Sequence, residues 1–170
     1  DVGSHTLDMV RYLFGEAANL YCLTQRVNPD IAGEDVANVL LEMENGIHCY
    51  AEMSYASVLE KEAFPHTLLL IEGSEGSVRL SHNYRITVTT REGSYRKVAT
   101  PKKYDWVNPD YALVHSSMVD INHDFLTALQ NGTKPETTAI DNYRTLQLVY
   151  ECYRSAKIKQ VITLEEPIFS

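Results

Sequence analysis

Short, half-apolar runs broken at close intervals by turn residues fill the middle of this chain and restrict it to antiparallel β-structure. The runs fall at 20–27, 36–43, 47–55, 67–72, 77–81, 85–90 and 95–100. Asn28-Pro29-Asp30, Asn45-Gly46, Gly73-Ser74-Glu75-Gly76 and Glu92-Gly93 separate several of them. Parallel strands need a crossover of a dozen or more residues, and most of these gaps are too short for one. Asn-Gly between two such runs is a strong short-range hairpin signal. Taken as a two-residue turn, Asn45-Gly46 pairs Met43 with His48, Leu41 with Tyr50 and Val39 with Glu52. One face then carries Val39, Leu41, Met43, His48, Tyr50 and Glu52, the other Leu40, Glu42, Cys49, Ala51 and Met53. Neither face is cleanly polar. That predicts a sheet covered on both sides, by helices on one and by a domain, subunit or ligand on the other.

Helical spacing brackets this β-region. Leu7, Val10, Leu13 and Phe14 recur at helical spacing in a first helix, with Ser4 as its N-cap and Gly15 as its stop. A second helix is expected over 117–130, with Ile121, Phe125, Ala128 and Leu129 inward and Asn131-Gly132 as its end. A third runs over 139–156, opened by Thr138 with Asp141 as capping-box partner. Its predicted inner stripe is Ile140, Tyr143, Leu146, Val149, Tyr150 and Tyr153. A short last strand follows at 161–164. The loop over 101–114 carries Tyr104, Trp106 and Tyr111, aromatics suited to stacking on a sugar or to pinning the loop to the sheet. The pattern is α+β: an open, mainly antiparallel sheet with helices packed on one face, read as a single domain over 1–170. No G-x-G-x-x-G turn, P-loop or βαβ alternation occurs, so these devices for holding a dinucleotide are absent from the chain.

The formal net charge of −8 argues against a nucleic-acid phosphate footprint, and no Lys/Arg stripe offsets it. No apolar run has the roughly 18 residues of a membrane span. Cys22, Cys49 and Cys152 show no metal or redox spacing and are expected as buried, reduced thiols in a cytoplasmic protein.

Chemistry concentrates at the first helix. Asp1, His5 and Asp8 are spaced to share one helical face. In the first turn the helix dipole disfavours imidazolium, so His5 is suited to accept a proton, and Asp1 to hold its tautomer. The plainer alternative is an exposed His5 beside a cap and a dipole partner. A metal site at Asp1, His5 and Asp8 is chemically possible, but no further His or Cys ligand motif supports it.

Four segments in order resemble the C-terminal substrate domain of the Gfo/Idh/MocA oxidoreductases. They are the D-x-G-x-H-x-x-D start at Asp1 to Asp8 running to Gly15, then Glu34-Asp35-Val36-Ala37 leading to Asn45-Gly46. The Ile71-Glu72-Gly73-Ser74-Glu75-Gly76-Ser77-Val78 turn follows, and then Asp124 to Gly132 with the last helix and Val161 to Leu164. The resemblance implies hydride transfer between NAD or NADP and a hydroxyl carbon of a sugar, cyclitol or related polyol. It also implies an N-terminal Rossmann domain that binds the cofactor and supplies a Glu-Lys-Pro lysine. That domain lies outside this sequence, which on this resemblance is a fragment unable to turn over alone. Carried onto this chain, His5 is the general acid/base and Asp1 its partner. Asp8 is a substrate contact or a dipole partner.

Further candidate substrate contacts are Tyr50, in the His48–Tyr50–Glu52 row, and His66, at the end of a charged loop from Ser57. A subunit interface or solvent exposure is the alternative for the first, and plain solvation for the second. A homo-oligomer through the open sheet face is expected. The rival functions are an NAD-dependent glycoside hydrolase working by transient oxidation, and a non-catalytic sugar-sensing or oligomerisation module.

Overall fold

The computed structural model describes residues 2–60 and 66–165. The chain divides into two compact units, Asp1–Val58 with Thr137–Ser170, and Leu59–Glu136. The α+β class and the antiparallel pairing are as expected, but the strands sort into two four-stranded sheets, one in each unit.

In the first unit, helix α1 (Val2–Phe14) leads into β1 (Ala17–Gln25), β2 (Val36–Met43) and β3 (His48–Ser54). After the second unit, α3 (Ala139–Ile158) and β8 (Ile162–Thr163) complete it, with strand order β3-β2-β1-β8. Helix α1 is already formed at Val2, so Ser4 lies within it and is not its cap. Gly15 ends it with φ 88°, and its N–H donates to Arg11 O at 2.8 Å. Gly3 has a packing role. A Cβ there would sit 3.1 Å from Met53 Sδ, so the glycine lets α1 approach β3 closely.

The β2–β3 hairpin exists, one residue out of the expected register. Glu42 pairs with His48, Leu41 with Cys49, Leu40 with Tyr50 and Val39 with Ala51. The turn is three residues long. Gly46 N donates to Met43 O (2.9 Å) and Met43 N to Ile47 O (2.8 Å), with Gly46 at φ 81°. Asn45 supports this longer turn through Oδ1, which accepts from Ile47 N, and through Nδ2, which donates to Phe14 O. Because side chains alternate, one step of register exchanges the faces. Leu20, Cys22, Val39, Leu41 and Met43 are all at most 1% exposed and face α1 and α3, with Cys49 and Ala51 beside them. The face that His48, Tyr50 and Glu52 share with Asn38, Leu40 and Glu42 is the open one, and its polarity is cleaner than expected.

Helix α3 also buries a different stripe from the predicted one. Thr145, Leu148, Cys152 and Ser155 face inward, while Ile140, Tyr143, Leu146, Tyr150 and Tyr153 are exposed. The reason is steric: small side chains admit close packing of α3 on β1, where Ser155 Oγ accepts from Cys22 N at 3.0 Å. Thr138 caps α3 by accepting from Asp141 N (3.2 Å), but Asp141 gives its carboxylate to Arg11 and leaves the capping box half made.

The second unit is a meander of β4 (Leu69–Gly73), β5 (Gly76–Ser81), β6 (Arg85–Thr90) and β7 (Gly93–Val98), followed by α2 (Ala112–Asn131). Gly76 is required by close approach, since a Cβ would fall 2.1 Å from Thr89 O. Among the described residues, only Val107, Ser116 and Ala128 of this unit are buried. Ile121, Phe125 and Leu129, expected inward, are exposed along α2. Trp106 and Tyr111 are exposed as well and do not pin their loop, although Tyr104 packs against Trp106 and under Lys102 Nζ.

Asp35 fastens the β1–β2 loop. Its carboxylate accepts from Val27 N at 2.7 Å and Asn28 N at 2.8 Å, and these bonds hold it below the usual carboxylate range. A lowered folded-state value means that the bonded form contributes stability above the unfolded value of about 3.9, lost as pH falls beneath it. Asp35→Asn is therefore expected to be less stable than the parent near neutral pH. Urea midpoints of the two should converge on acidification below that value, and a pH-independent difference would contradict this origin.

Candidate active site

Helix α1 turns Leu7 and Val10 into the core, and His5 and Asp8 outward on the face one turn apart. His5 is exposed, and among the described residues no hydrogen bond or ion pair engages it. Asp1 lies outside the described residues, and the Asp1–His5 pair with it.

The next turn of the helix is the opposite in character. Arg11 is 7% exposed, and all five of its N–H donors are engaged. Nε and Nη2 form a fork onto Glu16 at 3.0 and 2.7 Å. Nη2 also donates to Asp141 Oδ1 at 3.0 Å, and Nη1 donates to Asp141 O at 3.1 Å and Thr145 Oγ1 at 2.7 Å. The bond to Glu16 is the main cause that raises the guanidinium above its usual range, with Asp141 adding and burial opposing. Thr145 Oγ1 in turn donates to Asp8 Oδ1 at 2.6 Å, and Arg11 Nη1 lies 3.6 Å from the same oxygen. This cluster, which includes Asp8, joins α1 to α3. Nothing in the sequence pattern marked Arg11, Thr145 and Asp141 as a unit, because Arg11 is 130 and 134 positions from Asp141 and Thr145.

The other candidates are placed elsewhere. Tyr50 lies on the open sheet face, opposite the helices, 64% exposed, with its hydroxyl donating to Asn38 Oδ1 at 2.7 Å. His66 belongs to the second unit, where its ring packs edge-on against His82 at 4.5 Å. Of the loop before it, residues 61–65 lie outside the described residues. Asp8 is thus the candidate contact that shares a helix with His5.

Glu34, from the second resemblance segment, accepts from Tyr153 Oη at 2.5 Å, a bond that raises the phenol. The three cysteines are free and buried, as expected. The hydrogen bond to Cys22, with burial, pushes the Cys152 thiol up. Among the described residues no cluster of three or more His, Cys, Asp or Glu is set to hold a metal ion. No helix of the described residues is long and apolar enough to cross a membrane.

Residues 1–79 match the GFO/IDH/MocA C-terminal domain. Over those residues, just under half of the chain, it is similar to that family's domain. Over 165 residues, 97% of the chain, it is 39% identical to a D-apiose dehydrogenase of Paraburkholderia graminis, and it spans 44% of that relative's length. An oxidoreductase from Agrobacterium radiobacter, solved with NAD+, L-tartaric acid and magnesium, superposes with a TM-score of 0.91 at 37% identity. That match covers 96% of this chain and 48% of the other. A levoglucosan dehydrogenase in complex with NADH and levoglucosan shares the fold at 16% identity, with a TM-score of 0.75 over 97% of this chain and 49% of its own. The chain thus spans somewhat under half the length of the relatives it matches. Their other halves have no counterpart in this sequence.

Proposed function

We propose that this domain supplies the proton-transfer and sugar-binding side of an NAD(P)-dependent sugar dehydrogenase, with an N-terminal Rossmann domain holding the cofactor. The observation that carries it is the continuous match, over 97% of the chain, to a D-apiose dehydrogenase. The geometry of α1 supports it. Oxidising an alcohol requires loss of a hydroxyl proton as hydride leaves the carbon. His5, exposed and without a structural partner among the described residues, is the base that takes this proton, and Asp1 orients its ring. Asp8 accepts a neighbouring substrate hydroxyl.

The residues of this chain fit one side of the cofactor reaction. They offer an imidazole and carboxylates for the proton, but no glycine-rich turn for a dinucleotide's phosphates. NAD or NADP, when bound, accepts the hydride.

The test is the intact protein with NAD+ or NADP+ and D-apiose or related aldoses, followed by absorbance of the reduced nicotinamide. Stoichiometric reduction is expected with at least one aldose. Sugar release from a glycoside without net reduction would favour the hydrolase. No turnover with either cofactor would favour a sensing module.

We also infer that the open sheet face mediates self-association. Leu23, Leu40 and Tyr50 are 49, 54 and 64% exposed on it. They replace Val39, Leu41 and Met43, the side chains expected there, which lie in the core. Light scattering should show an oligomer that Leu40→Lys disperses. A parent that stays monomeric at high concentration would exclude the interface.

A further inference from the structure

We propose that Thr145 is a positioning residue for the substrate. It holds the Asp8 carboxylate through a one-way hydrogen-bond relay that starts at Arg11, and the proposal rests on the dehydrogenase reading above. A guanidinium can only donate, so at 2.7 Å from Arg11 Nη1 the Thr145 oxygen must accept. The hydroxyl has one proton, and Asp8 Oδ1 stands 2.6 Å away to receive it. Direction is therefore set from the buried end: Arg11 to Thr145 to Asp8.

Two features keep the relay from relaxing. The other four donors of Arg11 are held by Glu16 and Asp141, which fixes the guanidinium plane. A threonine within a helix commonly turns its hydroxyl to the carbonyl four residues back. Here that carbonyl, Asp141 O, accepts from Arg11 Nη1, and the hydroxyl is directed to Asp8 instead. Thr145 is 5% exposed, so solvent does not compete strongly for its proton.

The consequence is local to Asp8. Its Oδ1 is occupied, its Oδ2 has no hydrogen-bond partner among the described residues, and half of the side chain is exposed. A carboxylate held by one oxygen offers the other as an acceptor whose orientation is already set, so less freedom is lost when a substrate hydroxyl binds. Asp8 lies three residues beyond His5 on the same helix, so the hydroxyl it holds neighbours the one that His5 deprotonates. Thr145 touches neither substrate nor cofactor in this scheme and acts only through Asp8.

Thr145→Val keeps the shape and removes the hydroxyl. In the intact protein, with the aldose it oxidises, this variant is expected to raise the KM for the sugar about tenfold. Its kcat should stay within about twofold and its KM for the nicotinamide cofactor unchanged, the signature of lost ground-state binding. Thr145→Ser restores the hydroxyl without the methyl and is expected to return the sugar KM to within about twofold of the parent. A purely structural threonine would lower the melting temperature without this split and without rescue by serine. Should the valine variant not fold, Thr145→Ala provides the same loss of hydroxyl and the same expected rise. An active parent with the sugar KM unmoved in the valine or alanine variant overturns the relay, as does a serine variant equally impaired. A parent without NAD(P)-dependent turnover overturns the dehydrogenase reading, and the positioning role with it.

Discussion

On the proposed role, replacing His5 with alanine in the intact protein is expected to lower kcat by about 100-fold or more, the scale of losing a general acid/base, while leaving the fold intact. Both halves of that outcome follow from where the residue sits. The imidazole is exposed on α1, and among the described residues it makes no hydrogen bond or ion pair for truncation to remove. Alanine is the stronger helix former, by a few tenths of a kcal/mol at an interior position, so the melting temperature should hold or rise slightly. Steady-state kinetics with saturating sugar and cofactor, set beside thermal unfolding of the same preparation, separate chemistry from stability. A kcat within about twofold of the parent would remove His5 from the mechanism, whatever the fate of the fold.

Arg11→Met should have the converse signature, with stability lost by about 3 kcal/mol. Methionine can fill much of the volume, but it leaves Glu16 and Asp141 without their shared countercharge and Thr145 Oγ1 without a donor. Removing one partner of a buried ion pair generally costs about 3–5 kcal/mol. The lower end applies because the Glu16 and Asp141 side chains are 32 and 47% exposed and can turn towards water. Arg11→Lys keeps the charge and cannot reproduce the two-pronged bond to Glu16, so it should fall between the parent and methionine. Urea unfolding with linear extrapolation measures the series. A loss below about 1 kcal/mol for methionine would mean that the acids rehydrate freely and that the cluster contributes little to docking α1 on α3.

Much of the framework was legible along the chain. Leu7, Val10 and Phe14 with Gly15 define a helix and its end, and the turn residues at 45–46, 73–76 and 92–93 place hairpins where the sheets have them. These signals are local, set by backbone conformations that few residue types adopt. His5 and Asp8 were legible for the same reason, since helical spacing places them one turn apart whatever the rest of the protein does.

The register of the β2–β3 hairpin was not. Asn-Gly serves a two-residue turn and a three-residue turn equally well, and the choice depended on Asn45 finding the carbonyl of Phe14 at the end of α1. The buried stripe of α3 was misread because periodicity favours large apolar side chains. Close approach to β1 favoured Thr145, Cys152 and Ser155 instead. The exposed row along α2, Ile121, Phe125 and Leu129, is inward by pattern only.

Residue order alone specifies the helices, the turns, the antiparallel class and the imidazole–carboxylate spacing on α1, because each depends on neighbours within a few positions. Tertiary structure decided which sheet face is buried and how the strands divide between two sheets. It also chose the partners of Arg11, since Asp141 and Thr145 meet it only after about 130 residues of chain fold back. Such meetings depend on how whole surfaces pack, and no short window of sequence contains that information.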